Sequence, residues 1–175
     1  MKISQIITEK YENQDPNRPA DGIDNAGNHK WYDTMGRYHR DGDKPAIIAA
    51  NDTQVWYQHG KRHRDGDKPA YITAGGTKEW WQHNKQHRDG DKPAVIGANG
   101  TLSWWHHDKL HRETGPAVEW PSGYIEFWLN NKKYKIDDWA EKVGMHAIDL
   151  HDMKEKYGIR DNRFDVFDIT REIGK

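Results

Sequence analysis

From residue 46 onward, short apolar runs alternate with polar turn residues. Ile47-Ile48, Val55-Trp56-Tyr57, Tyr71-Ile72, Trp80-Trp81, Val95-Ile96, Trp104-Trp105 and Phe127-Trp128 are such runs. They are too short for helices and suit strands in tight hairpins. Before each aromatic pair sit Asn51-Asp52, Gly75-Gly76, Asn99-Gly100 and Ser122-Gly123. After each pair sit His59-Gly60, His83-Asn84, His107-Asp108 and Asn130-Asn131. The second position of these later turns is always Gly, Asn or Asp, the residues that best accept positive φ. The pattern predicts strand, turn, strand, turn, short strand and loop in every unit.

The unit is 24 residues long. His39-Arg40, His63-Arg64, His87-Arg88 and His111-Arg112 recur at that spacing. The first three open the phrase His-Arg-Asp-Gly-Asp-Lys-Pro-Ala, and the fourth reads His-Arg-Glu-Thr-Gly-Pro-Ala. A strict period of this size marks a stacked repeat architecture. We therefore expect a mostly β protein: an elongated antiparallel β-hairpin repeat sheet of about five copies, with a small helical C-terminal cap.

Two-residue turns predict a register. With Asn51-Asp52 as a loop, Ile47 faces Trp56 and Ala46 faces Tyr57. With His59-Gly60 as a loop, Trp56 faces His63 and Tyr57 faces Arg62. Later copies give Tyr71–Trp80–His87, Val95–Trp104–His111 and Val118–Phe127–Tyr134. The same reasoning places Ala46, Ala70, Ala94 and Ala117 opposite Tyr57, Trp81, Trp105 and Trp128, a small residue against each large ring. Adjacent tryptophans put a ring on both faces of the sheet. Either both faces are partly covered, or one displays aromatics for binding; covering is favoured, because aromatics mostly serve cores and repeat interfaces.

An imperfect first copy begins at Pro19-Ala20, with a turn at Gly27-Asn28, aromatics at Trp31-Tyr32 and a second turn at Met35-Gly36. In the last copy His-Arg becomes Tyr134-Lys135. The predicted divisions are a strand and lead-in at 1–18, the array at 19–135, and a cap at 136–175. In the cap, Asp137-Asp138 can start a helix holding Trp139 and Val143 and ending near Gly144. Ala147, Leu150, Met153 and Tyr157 mark one face of a second helix ended by Gly158. Phe164, Val166, Phe167 and Ile169 suggest a final strand.

The chain's mean hydropathy of −1.19 would by itself point to disorder. Nine Trp and eight Tyr point instead to a folded chain. The formal net charge is −1, which gives no general attraction to nucleic acid. There is no cysteine, which fits a reducing compartment. No signal-peptide core or membrane-length apolar run is visible, so a soluble, cytoplasmic protein is expected.

The segment Trp56 to Ala70 resembles a divergent MORN-type repeat: an aromatic strand, a turn, then a His-Arg and Pro-Ala ending. The resemblance spans roughly Pro19 to Lys135. It implies a β-hairpin sheet with a scaffolding or binding role, in proteins of bacteriophages and large DNA viruses. The unit departs from the MORN pattern in having less glycine and an added His-Arg pair.

Three rows of residues could carry chemistry. His63, His87 and His111 should align, with His59, His83 and His107 in neighbouring turns and a local cluster at His106-His107-Asp108. A repeat spreads equivalent groups along a line, whereas a metal needs convergence, so no metal is expected. Asp41-Gly42-Asp43 and its repeats at Asp65 and Asp89 could suit calcium, but turn chemistry and ion pairing to Arg are favoured. Arg40, Arg64, Arg88 and Arg112, continued by Lys135, form a basic ladder beside Tyr57, Trp81 and Trp105. This ladder could bind a nucleotide or single strand, or pair with Asp41, Asp65, Asp89 and Glu79; the balanced charge favours pairing. No Walker loop, dinucleotide fingerprint, Ser-His-Asp set or zinc-protease helix is present, and no enzyme or cofactor is expected.

The function expected is a non-enzymatic protein-binding scaffold, possible as a phage accessory protein that engages a host defence protein. The alternatives are a nucleotide or single-stranded nucleic-acid binder and a structural or assembly component. Residues that vary between copies would make the specific surface: Arg62, Gln86, Leu110 and Lys133, with Trp81, Trp105 and Trp128 opposite them.

Overall fold

The computed structural model describes Asn17 and residues 19–160. The strands expected within 1–18 and at Phe164 to Ile169 lie outside the described residues. The chain divides into two compact units, with the boundary between Tyr134 and Lys135.

Among the described residues, the first unit's regular elements are all β. Seventeen short strands are described, and eleven of them form one antiparallel meander. Each copy contributes one hairpin to that meander, such as Ile47–Ile48 with Gln54–Val55. The next copy's Tyr71–Ile72 then pairs with Gln54–Val55, so the sheet grows by two strands per repeat. A second, smaller hairpin leaves the sheet at the first aromatic of each pair: Tyr57–Gln58 with Lys61–Arg62, Trp81–Gln82 with Lys85–Gln86, and Trp105–His106 with Lys109–Leu110. In the last copy the two are fused through the longer strand Ile125–Leu129.

The register of the small hairpins is as predicted from their turns. Tyr57 faces Arg62, Trp81 faces Gln86, Trp105 faces Leu110, and Phe127 faces Tyr134. Both turn residues have positive φ, His83 at 49° and Asn84 at 70° for example. That is the requirement of a two-residue turn whose twist matches the flanking strands.

The register of the sheet hairpins differs from expectation by one residue. Ile47 faces Val55, Tyr71 faces Glu79, Val95 faces Ser103 and Val118 faces Glu126. The loops hold three residues, not two. Ala49 donates its N–H to Thr53 O at 2.8 Å, and Asp52 N–H returns to Ala49 O at 2.9 Å. Only the last loop residue has positive φ: Asp52, Gly76, Gly100 and Gly123. A tight turn followed by one left-handed residue is the common three-residue hairpin. Because the side-chain period is two, this slip moves every partner to the other face.

The corrected register rearranges the core. Ala46, Ala70, Ala94 and Ala117 lie beside Trp31, Trp56, Trp80, Trp104 and Phe127, not opposite Tyr57, Trp81, Trp105 and Trp128. Backbone bonds mark the row: Trp31 N–H to Ala46 O, Trp56 N–H to Ala70 O, Trp80 N–H to Ala94 O, Trp104 N–H to Ala117 O. The four alanines are 0 % exposed and the aromatics 4–7 %. Trp56, Trp80 and Trp104 thus each lie between two alanines across the strands, Trp31 and Phe127 end the row beside one, and the row is the array's core.

The second unit holds the helices Ile136–Val143 and Ala147–Lys156. Lys135, not an aspartate, is the N-cap residue of the first helix; Asp137 and Asp138 occupy its first turn, where the helix dipole favours negative charge. Gly144 ends that helix at φ 68°. Trp139 is fully buried. Leu150, Met153 and Tyr157 are half-buried, while Ala147 is exposed. Lys154 is buried, and its Nζ donates to Asp137 Oδ1 at 2.6 Å, tying the two helices together. No described helix is long and apolar enough to cross a membrane.

Candidate functional site

The His-Arg-Asp-Gly-Asp-Lys loops are built for structure. In the second copy, the Arg64 guanidinium stacks on the Trp56 ring at 3.9 Å. Arg64 Nε and Nη2 donate to the Asp43 carboxylate of the preceding copy at 2.7 and 3.2 Å, and Nη1 donates to Pro69 O. Lys68 Nζ reaches the same Asp43 carboxylate at 2.7 Å, and Trp56 Nε1–H donates to Asp43 O at 3.1 Å. Arg88 repeats this set on Trp80 and Asp67. Arg112 repeats the stack and the two-pronged pairing on Trp104 and Asp91.

These bonds set the acidity of the loop carboxylates. The Arg64 and Lys68 cations hold Asp43 at about 2, against its burial. Arg88 and Lys92 do the same for Asp67, also about 2. Arg64, Arg88 and Arg112 of the ladder are therefore consumed by ion pairs. Their partners are the second aspartates, Asp43, Asp67 and Asp91, in the preceding copy; the first aspartates and Glu79, named from sequence, serve other donors. Asp65 and Asp89 instead accept from His63 and His87 Nε2, both at 3.0 Å. With each carboxylate committed to its own donors, the Asp-Gly-Asp motif works as a turn and a strap between copies. Grooves of 330, 460 and 300 Å³ lie between successive loops.

The variable residues form a different surface. Alternation puts Tyr57, Trp81, Trp105 and Trp128 on the face opposite the buried Trp–Ala row. All four rings are half-buried. Their hairpin partners are Arg62, Gln86, Leu110 and Lys133. The structure thus brings all seven sequence-named residues into one row of facing pairs. The Arg62 guanidinium lies 4.5 Å from the Trp81 ring, 5.2 Å from Tyr71 and 6.0 Å from Tyr57, which links successive copies. Arg62 Nε is buried without a hydrogen-bond partner. Trp81 and Trp128 donate Nε1–H to Glu79 and Glu126 at 2.8 Å, and Trp105 to Ser103, so the indoles are held in place.

The row extends beyond the residues named from sequence. Tyr32 stacks on Tyr38 at 5.1 Å, and Tyr38 packs against Tyr57 at 5.3 Å. At the other end Tyr124 is 55 % exposed, with Lys133 bonded to its hydroxyl and to Glu126. Alternation back from Trp128 through Glu126 was the signal for Tyr124. Asn84, Asp108 and Asn131 brace the row: each Oδ1 accepts the N–H of Arg62, Gln86 or Leu110 in the preceding copy at 2.6–2.7 Å.

The histidines form stacked pairs between copies. His39 lies on His59 at 4.1 Å, His63 on His83 at 4.3 Å, and His87 on His107 at 4.1 Å. The third pair gains an extra ring, His106, at 4.9 Å from His87 and 4.5 Å from His107. Candidate ligand atoms of His87, His106 and His107 lie within 4.8 Å of one another. Burial, then the neighbouring imidazoles His107, His87 and His111, push the His106 pKa below its ordinary value. The repeat-wide alignment expected from sequence holds for the pairs, but the convergence at His106 was not anticipated.

No family model, curated protein or solved structure matches the chain.

Proposed function

We propose that this protein is a non-enzymatic binding scaffold whose partner, another protein, docks along the row from Tyr57/Arg62 to Trp128/Lys133. One observation carries this reading: the loop face and core use up the repeat's His-Arg-Asp-Gly-Asp-Lys residues, while its variable residues, Arg62, Gln86, Leu110 and Lys133, each face a ring in a second aromatic row. Rigid rings with few rotatable bonds, flanked by Arg and Lys, are the residue types that dominate binding energy at protein interfaces. The MORN-like resemblance fits a scaffold of this kind, and a phage accessory protein that engages a host defence protein is its specific form. The nucleic-acid alternative would draw on Arg40, Arg64, Arg88 and Arg112, and the pairing of the last three to aspartate weighs against it.

The test uses Arg62→Glu, Gln86→Ala and Lys133→Glu in the full chain. Each should keep its circular-dichroism spectrum and weaken capture of the partner isolated with the unaltered protein. If these variants bind normally, and changes within 136–175 abolish binding without unfolding the array, the docking surface is in the second unit and the proposal fails.

A further inference from the structure

Equivalent groups of a strict repeat lie along a line, but at residue 106 the repeat is broken. Gln58 and Gln82 occupy this position in the two preceding copies, where each donates Nε2–H to a loop aspartate, Asp65 or Asp89. The next copy has His106. The inter-copy contact therefore holds two imidazoles plus an amide at His63, His83 and Gln82, but three imidazoles at His87, His107 and His106. In the last copy Asn130 replaces the turn histidine, and its N–H donates to His111 Nδ1 at 3.3 Å.

The buried member of the trio is poised as a ligand. His87 is 4 % exposed. Its Nε2 faces Asp89 Oδ1 at 3.0 Å. Gln82 Nε2–H also donates to Asp89, at 3.0 Å, so the carboxylate sits as an acceptor between the amide and the imidazole. With Asp89 as acceptor at Nε2, Nδ1 is the ring nitrogen left to serve as a ligand atom. His87 Nδ1 is buried and has no hydrogen-bond partner. A carboxylate holding one ring nitrogen while the other is left free is the arrangement that orients metal-bound histidines. His63 Nδ1 is likewise buried without a hydrogen-bond partner but lacks the third imidazole, which makes it an internal control.

We infer that His87, His106 and His107 form a binding site for a divalent transition-metal ion of the zinc class. Three imidazoles and one open position suit zinc, which is four-coordinate with nitrogen ligands. Tetrahedral zinc needs ligand nitrogens about 3.3 Å apart. The parallel rings of His87 and His107 aim their lone pairs along parallel planes, so His107 must turn. His106 and His107 are both exposed and His87 is buried, so the exposed pair are the members that must move to close on an ion. This inference is independent of the protein-binding proposal.

The test is calorimetric titration of the tag-free full chain with Zn²⁺, supported by the visible absorption of Co²⁺. One equivalent should bind, and the Co²⁺ spectrum should be that of a four-coordinate site. His106→Gln and His107→Asn restore residues that the repeat itself uses at these positions, so both variants should fold. Each should weaken Zn²⁺ binding by about 10-fold or more. His83→Asn, in the control contact, should leave it unchanged. The inference is overturned if about 100 µM Zn²⁺ gives no binding, or if His106→Gln and His83→Asn have the same effect.

Discussion

Replacing Trp80 by alanine tests the corrected register and the core together. Trp80 is 7 % exposed, lies between Ala70 and Ala94, donates Nε1–H to Asp67 O at 3.1 Å, and carries the Arg88 guanidinium 3.8 Å above its ring. Emptying such a site costs about 3–5 kcal/mol, because flanking alanines are too small to refill the space. Trp80→Phe keeps most of the buried area and the cation contact but orphans the Asp67 carbonyl, at a cost of about 1–3 kcal/mol. Trp81→Ala removes a half-buried ring from the other face and should cost about 1–2 kcal/mol. Urea denaturation followed by far-ultraviolet circular dichroism gives all three values, since nine tryptophans make fluorescence hard to assign. The order Trp80→Ala, then Trp80→Phe and Trp81→Ala together, is the expected result. Equal losses for Trp80→Ala and Trp81→Ala would refute the assignment of one ring to the core and the other to the surface.

Ala94→Leu should overpack the space between Trp80 and Trp104 and lower stability by about 1–3 kcal/mol, measured by the same denaturation. Asn84→Ala should cost about 1–2 kcal/mol, because it loses both tolerance of positive φ and the bond from Arg62 N–H, and the urea midpoint reports it. Acid should weaken the straps between copies. Asp43 and Asp67 are held at about 2 against a normal 3.8, so their contribution is complete above about pH 4 and is lost as pH falls toward 2. Both carboxylates are over 40 % exposed, so solvent screening limits the effect to about 0.5–1 kcal/mol each. Asp67→Asn should flatten that part of a stability–pH profile.

How much of this was legible depends on where each contact is made. The pairs Tyr57/Arg62 and Trp81/Gln86 sit within one small hairpin, and turns such as His83-Asn84 determine their register locally. The sheet hairpins were misread because Asn51-Asp52 and Asn99-Gly100 look alike in two- and three-residue loops: in both, the last residue takes positive φ. The misreading moved the alanines from Trp80 to Trp81. Partners between copies were less legible still. Arg88 reaches Asp67, 21 residues back, and His106 meets His87, because of the stacking distance between units, which no local pattern encodes. The second unit follows the helical signals of Gly144 and Trp139, yet its buried Lys154, paired with part-exposed Asp137, runs against the usual expectation that lysine stays exposed.

The central claim is that variable residues on one face make the docking surface. Site-specific photo-cross-linking tests it most directly. A photoreactive residue at Gln86 or at Leu110 reports on the row, and one at exposed Lys78, in the eleven-stranded sheet, reports on a surface outside it. Exposed to bacterial lysate, Gln86 and Leu110 probes should yield the same discrete adduct. Excess unlabelled protein should suppress it, and excess Trp81→Ala/Trp105→Ala protein should not. Adducts of equal strength from Lys78, or none from Gln86 and Leu110, would contradict the account.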